Sequence, residues 1–121
     1  MAKFIYNTHE KDFNQWTEFE VHSEAYSNLK KNFIYVRANY DLFHRKTLEC
    51  GIVDILIKDH LGKNLLVVEV KKNKNSKKNG KQQKLYEKLA GCPCIYIMGM
   101  EEAERAIPIC EDALGKIYAE N

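Results

Sequence analysis

A chain of 121 residues, 45% of them hydrophobic and including one Trp, seven Tyr and five Phe, can bury one core without disulfide staples, so a single domain over residues 1–121 is expected. The formal net charge of +2 excludes a polycation, and any nucleic-acid footprint has to come from local clustering of charge. No stretch approaches the roughly 20 apolar residues of a membrane span. The opening "MAKFIYNTHEKDF" lacks the apolar run of a secretory leader, so a soluble, cytoplasmic protein with reduced cysteines is expected.

From about Asp12 to Lys31, Val21, Ala25 and Leu29 recur at four-residue steps and predict a helix capped by Asp12 or Thr17. "NFIYVRANY" (32–40) alternates and is rich in β-formers, which predicts a strand; "IVDILIKD" (52–59) and "LLVVEVKK" (65–72) predict two more. A polar loop, "KNKNSKKNGK", comes next. "QQKLYEKLAG" then sets Gln82, Leu85, Tyr86 and Leu89 on one helical face, with Gly91 and Pro93 ending the helix. "CIYIMG" (94–99) reads as a short strand covered on both faces. In the tail, Ala103, Ala106, Ile107, Cys110, Ala113, Leu114 and Ile117 keep helical spacing across Pro108, which predicts two consecutive short helices. The order α-β-β-β-α-β-α implies an α/β sandwich around a mixed sheet.

Of the four cysteines, Cys50, Cys92, Cys94 and Cys110, only "CPC" forms a close pair. Its one-residue gap is not the spacing of structural zinc sites, and no His stands at matching distance. Small residues buried at a strand edge are the expectation there.

The stretch "GIVDILIKDHLGKNLLVVEVKK" (51–72) carries Asp54, Glu69 and Lys71 inside otherwise apolar strands. A hairpin closing symmetrically about Leu61-Gly62 pairs residues whose numbers sum to 123, which sets Asp54 opposite Glu69 with Lys71 on the same face. Two carboxylates so placed repel unless a cation shares the space. Mg²⁺ suits a small set of hard oxygen ligands, and Lys71 suits orienting a water or countering charge on a phosphate. For "EVK" alone, a plain hairpin with a Glu-Lys or Asp-Lys pair on a solvated face is the better explanation of the residues.

The combination of an Asp, a hairpin, a Glu-x-Lys in an apolar strand, a basic loop and a Gln-containing helix resembles the PD-(D/E)xK nuclease superfamily, over roughly Glu18 to Gly99. That resemblance implies a restriction-endonuclease-like α-β-β-β-α-β core, a central mixed sheet flanked by helices, with the C-terminal helices added. It implies Asp54 as metal-binding Asp, Glu69 as second acidic ligand, the Val70 carbonyl as extra ligand and Lys71 as catalytic Lys. Gln82 or Gln83 matches a Gln of the junction-resolvase-like, VRR-type and restriction-type branches, and Glu20 or Glu24 matches an acidic residue of the first helix. Val53 stands where the family carries Pro. The implied cofactor is Mg²⁺, with Mn²⁺ able to substitute, and the implied reaction is endonucleolytic hydrolysis of DNA phosphodiesters. Stand-alone resolvases, small phage nucleases and homing endonucleases are the relatives of similar size, and many act as homodimers because two strands need two sites.

In "KKNKNSKKNGK" (71–81) six of eleven residues are Lys. The run reads as a solvated, disorder-prone loop, but it leaves directly from the Glu69–Lys71 strand, so Lys72, Lys74, Lys77, Lys78 and Lys81 are expected to attract phosphate. Arg45 and Lys46, in "HRK", are candidates to extend the same surface, and an ordinary loop before a strand explains them as well. Lys is a flexible point charge, so the loop predicts backbone binding to duplex or branched DNA rather than base reading. Competing expectations are a catalytically inactive binding module of the same fold, an RNA-directed nuclease, and a domain that meets an acidic protein partner.

Overall fold

The computed structural model describes residues 16–33, 35–42 and 52–120. Its elements run α1 (Glu18–Asn32), β1 (Val36–Asp41), β2 (Ile52–Lys58), β3 (Asn64–Lys71), α2 (Gly80–Ala90), β4 (Cys94–Met98), α3 (Met100–Glu104) and α4 (Ala106–Glu120). The four strands form one sheet in the order β1-β2-β3-β4. β1, β2 and β3 are antiparallel neighbours, and β4 lies parallel to β3, reached through α2. The sheet is therefore mixed and flanked by helices.

Thr17, rather than Asp12, caps α1. Its hydroxyl accepts from the Glu20 N–H at 3.1 Å, and the Glu20 carboxylate returns a bond to the Thr17 N–H at 2.9 Å, a capping box that fixes where the helix begins. Val21, Ala25 and Leu29 are buried as their spacing requires. The helix runs on through Asn32 with Phe33 as its C-cap, so β1 starts at Val36 and not at Asn32. Local β propensity at Phe33 yields here to helical hydrogen bonding, since the Phe33 N–H donates to Leu29.

β2 and β3 keep the symmetric register, with Ile55, Leu56 and Ile57 opposite Val68, Val67 and Leu66. It slips by one at Lys58–Asn64, where Asp59 closes the turn by accepting from the N–H groups of Leu61 and Lys63, with Gly62 at φ +88°. α2 begins at an Asn79 side-chain cap and ends at Gly91 in the left-handed region. Pro108 falls in the first turn of α4, where its missing N–H is harmless. α4 is 15 residues long, so only the first of the two tail helices is short.

Two apolar clusters sandwich the sheet. Ile55, Ile57, Leu66, Val68, Val70 and Ile97 pack with residues of α1, α3 and α4, while Val53, Leu56, Val67 and Cys94 pack with Tyr86 of α2. Strict alternation would put Val53 with Ile55 and Ile57. Instead the pleat changes phase at Asp54. The same happens in β1, where Val36 faces one cluster and Tyr40 the other, with Asn39 at φ +50° between them. Asn39 and Asp54 face each other and are the residues the ladder skips. No helix among the described residues is long and apolar enough to cross a membrane.

Candidate active site

Beyond Ile55–Val68 the β2–β3 ladder is continued by side chains. The Asp54 N–H donates to Glu69 Oε1 at 3.0 Å, and the Val70 N–H donates to Asp54 Oδ2 at 2.8 Å. Each carboxylate thus holds the opposite strand with one oxygen, and its second oxygen lies outside this pair of bonds. Residues of a strand direct their N–H and C=O to the same edge, so the Val70 carbonyl joins its N–H on the Asp54 side. Glu69 is only 7% exposed. Burial pushes its carboxyl up to about 7; the Asp54 N–H bond opposes this, the Asp54 charge adds to it, Lys71 opposes it and Glu18 adds to it. Lys71 shares the α2 side of the sheet with Glu69 by alternation, and its carbonyl is fixed by the Gly99 N–H at 3.0 Å.

On the α1 side, Glu18, Phe19, His22, Asn39 and Asp54 line a cavity of about 270 Å³. His22 Nε2 lies 3.0 Å from the Asp54 carbonyl, which can only accept, so that nitrogen carries the proton. Its ring leans on Tyr26 at a centroid distance of 6.4 Å. The acidic residue of α1 that lines this cavity beside Asp54 is Glu18, and neither Glu20 nor Glu24 lines it. Glu20 is spent on the capping box, and Glu24 accepts from Asn28 at 2.7 Å, beside α3. The sequence held the signal: Thr17-x-x-Glu20 ahead of an apolar stripe is a capping box, which leaves Glu18 and His22, four apart, on the neighbouring face.

On the α2 side, Lys71, Lys77, Lys78, Lys81 and Lys84 line a groove of about 780 Å³ with Asn79, Gly80 and Gln82, and among the described residues no acidic one lines it. Lys84 lies a turn inside α2, outside the polar run, which is why the run alone does not point to it. Gln82 opens on this groove, whereas Gln83 is a structural residue, its Nε2 donating to the Cys94 carbonyl at 2.7 Å. Lys74 turns away to Glu101 at 3.6 Å, and Lys72 is exposed. The polar residues of the segment bond to one another and to β4. Asn73 accepts from the Asn75 N–H, Ser76 accepts from the Asn73 N–H, and the Asn79 N–H donates to Tyr96 Oη. Gly99 is required here by its φ of +97°, a backbone conformation that a residue with a Cβ rarely adopts, and it packs against the Asn73 backbone. Arg45 and Lys46 lie outside the described residues.

Among the described residues no three His, Cys, Asp or Glu side chains gather closely enough to hold a metal by themselves. Asp54 and Glu69 make a two-carboxylate set of hard oxygens, the number with which Mg²⁺ is bound when waters and substrate phosphates complete its shell. Cys92, Cys94 and Cys110 are free thiols, and burial pushes Cys94 and Cys110 up to about 12, which suits packing rather than zinc binding. Comparison of the chain with family models, curated proteins and solved structures gives no match.

Proposed function

We propose that this chain is a Mg²⁺-dependent endonuclease of the PD-(D/E)xK type, with the restriction-endonuclease-like fold, that hydrolyses phosphodiester bonds in DNA. The observation that carries this reading is the end of the β2–β3 ladder. There two carboxylates from adjacent strands are locked by each other's backbone, each with an oxygen outside those bonds. Asp54 borders the α1-side cavity rather than the face of Glu69 and Lys71 expected from the symmetric hairpin, and the next outward residue on Glu69's face is Lys71 at the mouth of a lysine-lined groove.

Asp54, Glu69 and the Val70 carbonyl would hold the metal. Bound there, Mg²⁺ supplies Lewis acidity and lowers the pKa of a coordinated water. Lys71 sets an ammonium where negative charge grows on the phosphoryl oxygens, and Glu18 and His22 border Asp54 from α1. The groove lysines attract the DNA backbone without reading bases. Cutting both strands of duplex or branched DNA needs two such sites, which a homodimer of this chain would supply.

The test is cleavage of supercoiled, linear, branched and single-stranded DNA by the full chain with Mg²⁺, with Mn²⁺ and in EDTA. Asp54→Asn and Glu69→Gln keep an acceptor oxygen for the neighbouring N–H, so they are expected to fold and bind DNA but not cut it. Full cutting in EDTA, or undiminished cutting by either variant, would end the metal reading.

A further inference from the structure

Phe19 is 78% exposed on the first turn of α1, and its ring borders the cavity that also contains Asp54. Its companions are His22, whose ring is held by the Asp54 carbonyl and Tyr26, and Asn39, whose amide both donates and accepts. Asn39 sits at φ +50° where both strands change pleat phase, a non-glycine residue held in a sparsely populated conformation beside the candidate site. An aromatic face, a fixed imidazole and an amide around one cavity make the chemistry of a base-stacking pocket, where the π-face binds any base and the amide meets its edge. The lysine groove lies on the opposite side of the sheet end, so the two clefts flank Asp54 and Glu69, one suited to phosphates and the other to a base.

We infer that the Glu18–Phe19–His22–Asn39–Asp54 cavity takes up an unpaired nucleobase adjacent to the scissile phosphate, with Phe19 as its stacking platform, so that the substrate is a strand with at least one unstacked base. The inference rests on the nuclease reading for the identity of that strand. A base inside a continuous duplex is stacked on its neighbours and enters only after being flipped out, so single-stranded, flap and branched substrates are favoured over blunt duplex.

The probe is a single-stranded oligonucleotide carrying 2-aminopurine, titrated with the full chain in EDTA so that no cleavage intervenes, beside a blunt duplex of equal length. The exposed position of Phe19 lets Phe19→Ala fold normally, which its melting temperature checks. Phe19→Ala is expected to weaken single-strand binding roughly 5- to 150-fold and to abolish the change in 2-aminopurine fluorescence on binding. Its salt slope and its blunt-duplex affinity should stay as in the wild type, and Phe19→Trp should restore binding. Wild-type single-strand affinity in Phe19→Ala, or equal losses on single strand and duplex, overturns the pocket. Mg²⁺ cleavage by the wild type is read separately. Cleavage with Phe19-independent binding sinks the pocket alone, whereas Phe19-dependent stacking without cleavage upholds the pocket and sinks the hydrolase.

Discussion

At the scale of single residues, Lys71 and Glu69 make the sharpest claims. An ammonium gives no ligand to a cation, so Lys71→Ala should cut the single-turnover rate at saturating Mg²⁺ by orders of magnitude while metal affinity stays nearly unchanged. Lys71→Arg keeps the charge but not the compact head, and it should fail as well. A near wild-type rate in either variant removes Lys71 from the chemistry. Glu69 is a buried carboxyl raised from 4.5 to about 7. Its folded value lies above its unfolded one, so its contribution to stability is complete below about pH 4.5 and is lost as pH rises through 7. In EDTA, Glu69→Gln should therefore melt higher than the wild type at pH 8, by an amount on the order of 2 kcal/mol, with the gap closing by pH 4.5. Mg²⁺ binding needs the ionised form, so metal affinity of the wild type should strengthen as pH rises through 7, as isothermal titration across that range would read.

At the scale of elements, the capping box separates two acids on α1 that look alike in sequence. Thr17→Ala or Glu20→Ala should cost about 1 kcal/mol of stability, seen in urea melts, with the Mg²⁺ dependence of cleavage unchanged. Glu18→Gln should leave stability within about 0.5 kcal/mol and alter the Mg²⁺ dependence instead. In the basic segment, Gln at Lys77, Lys78 and Lys81 should flatten the salt dependence of duplex binding by about 0.9 in log–log slope for each phosphate no longer neutralised. Lys74→Gln should change that slope least, because Lys74 already faces Glu101. Much of this is readable in the sequence. The register that joins Asp54 to Glu69 follows from turn symmetry and apolar periodicity, as do α2, β4 and the Pro108 break. What escapes it depends on competition between groups: whether Glu20 caps its helix or faces the site, whether Gln83 binds a strand carbonyl, whether Lys74 finds Glu101. Side-chain spacing alone does not decide such contests.

At the scale of the whole molecule, burial predicts how the thiols behave. Cys94 and Cys110 lie in opposite clusters, and their high pKa values leave almost no thiolate at pH 8. Alkylation of either should be slow until the fold opens, so the two rates, followed by mass spectrometry through a urea series, should rise together if both layers unfold cooperatively. The interlocked bonds at the end of the hairpin bear on how such a protein ages over generations. Asp54 and Glu69 fasten two strands whether or not a phosphodiester is ever cut, so selection for folding alone would keep an acceptor oxygen at both positions, carboxylate or amide, in a descendant that had abandoned catalysis. Lys71 contributes no side-chain bond to that fastening. It is the letter that drift would erase first, and its retention in a lineage is the better witness to working chemistry.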